Sequence, residues 1–133
     1  MSVIKSKRGL SRLQFLENAK DIYVMCLRYC ENMPKKHYHY LQEPFMKLIA
    51  EMFTQSKTGN SIYASNVHEQ QLRIDCFLKA YSALQAAISY LGIMQDMSLL
   101  TERQLINLTS KMSEELKLIK GVLDAERKRR KEI

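Results

Sequence analysis

The sequence predicts an all-α protein, folded as an antiparallel up-down four-helix bundle. Three observations lead there. Apolar residues recur at i, i+3, i+4 and i+7 over four separate stretches, the period of a helix that buries one face. Glycine and proline are scarce, at 4 and 2 residues in 133, which leaves few turns. Two stretches open on capping boxes, a local signature of a helix start. With 46% hydrophobic and 26% charged residues, the chain suits one domain with a solvated surface.

The first helix is expected from about Ser11, as N-cap, to about Met33, ahead of Pro34. Phe15, Leu16, Ala19, Ile22, Tyr23, Cys26, Leu27 and Cys30 form its apolar stripe. Glu17, Asp21, Arg28 and Glu31 lie opposite, where Val24 and Met25 intrude. The second helix falls within about Lys36 to Lys57, with Tyr38, Leu41, Phe45, Leu48, Ile49 and Met52 facing inward. Pro44 either opens the main helix in its first turn or kinks a longer one, because it lacks an N–H and crowds the preceding turn. Residues 57–66, rich in Gly, Asn and Ser, are expected as the longest loop. Asn66-Val-His-Glu69 then caps a third helix that runs to about Asp96. Its apolar arc is wide: Ile74, Phe77, Leu78, Ala80, Tyr81, Leu84, Ala87, Ile88, Leu91 and Met94. Such a helix is buried on more than one side. Thr101-Glu-Arg-Gln104 caps the fourth helix, whose narrow stripe is Leu105, Leu108, Met112, Leu116, Ile119 and Leu123. It is expected to fray beyond about Lys128.

The net charge of +7 is unevenly placed. Residues 1–12 hold Lys5, Lys7, Arg8 and Arg12 and no acid. Residues 127–131 are Arg127, Lys128, Arg129, Arg130 and Lys131. Residues 13–126 hold 12 basic groups against 13 acidic ones. The chain thus divides into a basic N-terminal arm (1–10), a near-neutral bundle domain (11–126) and a basic C-terminal tail (127–133). Charge runs are commonly no more than solvated ends. In an up-down bundle, however, both termini meet at one end beside the 57–66 loop, with its Lys57, Asn60, Ser61, Tyr63, Ser65 and Asn66. Clustered cations beside groups able to stack or hydrogen-bond suit a nucleic-acid surface. Lys35 and Lys36 would form a second, weaker patch at the opposite end.

No catalytic constellation stands out. There is no Gly-rich phosphate loop, no HExxH and no CxxC pair. His37 and His39 flank Tyr38, but no nearby Cys or Asp completes a metal site. Small helical ribonucleases can carry an Arg four to six residues before a His, and none of the three histidines has one. An enzyme, a cofactor and a metal are therefore not expected. Cys26, Cys30 and Cys76, an odd set without framework spacing, suggest reduced thiols in a cytoplasmic protein. The basic N-terminus is followed by no apolar signal region, and no run reaches the length of a membrane span.

The stretch Ser61-Ile-Tyr63, Asn66-x-His68-Glu69-x-x-Leu72-Arg73-x-Asp75-x-Phe77-x-x-Ala80-x-x-Ala83-Leu84-Gln85 carries a resemblance, with Met33-Pro34-Lys35-Lys36 before it and Leu118-Ile-Lys-Gly-Val122 after it. Together they resemble the four-helix-bundle family that includes the accessory variability determinant of diversity-generating retroelements. That family also takes in the proteins encoded by intervening sequences of bacterial 23S ribosomal RNA genes. The resemblance covers nearly the whole chain, through caps and core positions rather than catalytic residues. It implies a non-enzymatic homopentamer that binds the element's reverse transcriptase and template RNA, with DNA as a further nucleic-acid partner, and supports mutagenic cDNA synthesis. The nucleic-acid-binding positions it implies are Lys35, Lys36, Lys57, Arg73 and Arg127 to Lys131.

Two features of the residues agree with a cyclic oligomer: the wide apolar arc of the third helix, and Val24 and Met25 on the polar side of the first. A ring would repeat the basic end and raise avidity without new contacts. Alternatives are an intervening-sequence-type bundle, or a protein-interaction scaffold with no reverse transcriptase partner. A toxin-like nuclease is disfavoured by the missing Arg–His spacing.

Overall fold

The computed structural model describes the backbone of residues 3–132 and the side chains of residues 14–132. All regular structure in it is helical: α1 (Val3–Glu31), α2 (Glu43–Ser61), α3 (Val67–Asp96) and α4 (Glu102–Glu132). Between α1 and α2 lie a 3₁₀ turn, Lys35–His37, and one π-helical turn, Tyr38–Gln42. No helix among the described residues is long and apolar enough to cross a membrane.

The predicted stripes form one core. Phe15, Ala19, Ile22 and Cys26 of α1 meet Phe45, Ile49 and Met52 of α2, eight apolar residues of α3 from Ile74 to Met94, and Leu108, Met112, Ile119 and Leu123 of α4. Rings lock the helices together edge to face: Phe15 on Phe77 with centroids 5.9 Å apart, Tyr23 on Phe53 at 5.6 Å, Phe45 on Tyr90 at 6.3 Å. The last contact sets the start of α2 beside the end of α3. The wide arc of α3 has an account within the chain, because α3 packs on α2 along one side and on α4 along the other.

Local chemistry explains most boundaries. Asn66 Oδ1 accepts from Glu69 N–H at 2.9 Å, and the Glu69 carboxylate reaches back to Ser65 N–H at 2.9 Å. Thr101 and Gln104 close a reciprocal box at 3.1 and 3.0 Å. Pro44 sits in the first turn of α2, where its missing N–H costs nothing. At the end of α3, Ser98 takes a left-handed φ of 57°. Ser98 and Leu99 N–H then bond back to Gln95 and Met94 carbonyls in a Schellman arrangement.

Three expectations need correction. Helix α1 begins at Val3 rather than near Ser11, so the backbone shows no break at the expected arm boundary. Helix α4 continues to Glu132 instead of fraying after Lys128. Cations in its last turn face the negative end of the helix dipole, which favours the extension. Half of the expected 57–66 loop is helix: α2 runs to Ser61, and residues 62–66 connect it to α3. Gly59 is the reason. It is buried against α3, where an added Cβ would lie 2.8 Å from the Phe77 ring and 3.0 Å from Cys76 Cβ. A loop-forming residue serves here as a close-packing contact.

The cysteines are free thiols, with Cys26 fully buried. Burial pushes the Cys26 thiol far above its ordinary range and the Cys30 thiol up to about 11, which favours the protonated thiol in both.

Candidate nucleic-acid interface

The connection 62–66, the first turns of α3 and the end of α4 meet at one place, and a polar cluster joins them. Arg73 Nη2 donates to Glu126 Oε1 at 2.6 Å, and its Nη1 donates to the Ile62 carbonyl oxygen just past α2. Gln70 Nε2 donates to the other Glu126 oxygen and, at 3.3 Å, to the Glu126 main-chain carbonyl. On the outside, Arg130 Nη1 donates to Gln71 Oε1. Arg73, Gln70 and Glu126 are all buried. A desolvated pair of this kind adds little net stability but is costly to break from one side, so it holds the end of α4 against α3.

Expected at the surface, Arg73 is instead 4% exposed, with its charge matched by Glu126 and its guanidinium 5.6 Å from the Phe77 ring. It is therefore not a freely presented surface cation. The reason is register: Arg73 lies four residues before Phe77, on the face α3 turns toward α4.

Arg127, Lys128, Arg129, Arg130 and Lys131 are exposed, and Glu126 just before them is the last buried residue described on α4. Lys57 is exposed one turn before the end of α2, its ammonium 5.9 Å from the Phe53 ring. Tyr63, at 86% exposure, projects from the connection. Residues 60–64, Arg73 and Arg129 line a cavity of about 340 Å³. Beside it, the Glu69 carboxyl is held below the usual range by bonds from the Ser65 hydroxyl and N–H.

Lys35 and Lys36 are exposed in the 3₁₀ turn, at the other end of α2. The 19 residues of α2 put them about 28 Å away. Gln42 Nε2 pins that turn by donating to the Pro34 carbonyl at 3.0 Å. His39 Nδ1 lies 3.3 Å from Glu43, which Lys47 also engages at 3.2 Å. Among the described residues no cluster of three His, Cys, Asp or Glu is placed to hold a metal. Lys5, Lys7, Arg8 and Arg12 have side chains outside the described residues.

Comparison with family models, curated proteins and solved structures finds no match to this chain.

The buried polar residues Asn18, Gln70, Glu115 and Glu126 were not anticipated as site or core groups. A signal existed. Glu115 lies three residues after Met112 and Glu126 three after Leu123, so both fall on the apolar stripe of α4. Asn18 holds the same relation to Phe15.

Proposed function

We propose that this chain is a non-enzymatic nucleic-acid-binding accessory protein. The observation that carries the reading is the five consecutive exposed cations Arg127 to Lys131, set on a helix and anchored by the Arg73–Glu126 pair beside the exposed Tyr63. Phosphate contacts from such a cluster supply affinity, and nearby stacking groups add contacts to bases. The finer reading follows the resemblance: a partner of the reverse transcriptase and template RNA of a diversity-generating retroelement, assembled as a cyclic homopentamer of up-down bundles. The up-down order is supported by paired positions that run oppositely along α1 and α4, where Gln14 meets Glu114 and Asp21 meets Lys111.

Fluorescence anisotropy with a structured RNA and with duplex DNA tests the reading. Five phosphate contacts on duplex DNA predict an affinity loss of about 10²- to 10³-fold between 50 and 200 mM salt. Removing residues 127–133 is expected to abolish most binding and to lower the helical signal only by the last turn and a half of α4, because residues 127 to 132 are exposed and the core is left intact. Unchanged affinity after the deletion would sink the cation-cluster model.

A second reading, a protein-interaction scaffold, draws on exposed apolar residues away from the basic end. Ile93, Met97 and Ile106 cluster around the α3–α4 connection. On this reading the unaltered protein shows no nucleic-acid affinity at physiological salt.

A further inference from the structure

We propose that the cavity between the α2–α3 connection and the end of α4 holds one unpaired nucleotide of a bound single strand, with its phosphate against Arg129 and Arg73 and its base stacked on Tyr63. The inference rests on the nucleic-acid reading above and gives the site a substrate class.

Size is the first argument. A cavity of about 340 Å³ lies at the low end of the roughly 300–1,000 Å³ typical of small-ligand clefts, enough for one nucleotide and far too little for a duplex. Charge is the second. Arg129 stands exposed on the wall contributed by α4, and Arg73 lies beneath as a buried cation. Glu126 and the Ile62 carbonyl each take one of the terminal nitrogens of Arg73, while its buried Nε–H has no acceptor among the described residues. The Phe77 ring lies 5.6 Å from the same guanidinium. A phosphate in the cavity meets the exposed Arg129 guanidinium, whose fork can engage two of its oxygens at once, with the Arg73–Glu126 pair beneath as part of the wall.

Tyr63 is the third argument. Its ring is 86% exposed and, among the described residues, makes no ring–ring contact, so core packing does not account for it. An aromatic face beside a phosphate site is what a splayed base uses, and every base has a face to stack. A paired base keeps its faces inside the duplex. The cavity therefore separates single strands from duplexes, which the cations alone would bind by charge.

The chain has no tryptophan, so Tyr63→Trp places a unique fluorophore at the site. Titration of that variant with a short single-stranded RNA, a DNA of equal length and the corresponding duplex should quench its emission with either single strand and leave it little changed with the duplex. In anisotropy, Tyr63→Ala should weaken single-strand binding about tenfold at fixed salt and spare duplex binding, with Tyr63→Phe restoring the affinity. Arg129→Gln should reduce the single-strand salt slope by about 0.7, one phosphate contact, and suppress the tryptophan quenching. Lys117→Gln, the same charge change elsewhere on α4, should leave the quenching intact. RNA and DNA alike support the site, and a preference for RNA adds a contact to the 2′-hydroxyl. Equal losses for single strand and duplex on Tyr63→Ala, or no loss at all, overturn the inference and leave the cation-cluster function standing. Absence of binding by the unaltered protein to all three nucleic acids overturns both.

Discussion

Two buried carboxylates on α4 meet different fates, and the difference comes from single partners. Glu126 is matched by a guanidinium and an amide. Glu115, fully buried between α1 and α4, has Asn18 Nδ2 at 3.1 Å on one oxygen, and its Oε2 has no hydrogen-bond partner among the described residues. Burial pushes the Glu115 carboxyl from an ordinary 4.5 up to about 8; the Asn18 bond opposes the rise, nearby Glu114 adds to it and Lys111 offsets it. The folded state therefore prefers the protonated acid. That contribution to stability is complete below about pH 4.5, declines as pH rises, and is lost above about pH 8. Glu115→Gln, which keeps the amide partner and cannot ionise, should remove a pH dependence on the order of a few kcal/mol. Denaturant unfolding of both proteins at pH 5 and pH 9 checks this, and parallel pH profiles would contradict it.

At the scale of elements, glycine has opposite meanings at different positions. Gly59 lets α2 and α3 approach, and the ring it faces, Phe77, is fully buried. Gly59→Ala should destabilise by about 1–3 kcal/mol through overpacking. Gly92 and Gly121 are helical and exposed, with nothing among the described residues within 4 Å of an added Cβ. Alanine at either should stabilise by about 0.5–1 kcal/mol, since it restricts the unfolded chain and adds no clash. Thermal denaturation of the three variants separates the two effects by sign. The capping boxes at Asn66 and Thr101 were legible because every residue that forms them lies within one turn. The helical state of residues 57–61 was not, because it depends on Phe77, sixteen or more residues downstream.

Across the whole molecule, cations collect where α4 ends, while exposed apolar groups are spread more widely, among them Val67 and Leu72 early in α3 and Ile93, Met97 and Ile106 on either side of the α3–α4 connection. Ile106 is 58% exposed. Together with Val24 and Leu27 on α1, these residues offer apolar area that packing within one chain leaves uncovered. For the proposed pentamer, light scattering should give five times the 15.6 kDa chain mass, and Ile106→Glu should lower that mass. A monomer mass at micromolar concentration would remove the ring, and with it the repeated basic end.

The sequence by itself determined the helical class, four helices, two of their starts, the α3 terminus at Asp96 and the concentration of charge at the ends. Each follows from near neighbours or from a period of 3.6. Tertiary structure alone decided which polar residues on the stripes are buried, that α2 closes on α3 at Gly59, and that Arg73 lies beneath a cavity rather than on the surface. Those outcomes depend on partners 50 or more residues away, as with Arg73 and Glu126 at 53, or on a neighbouring helix at van der Waals distance. Periodicity names the face a residue occupies, and only the helix opposite decides what that face meets.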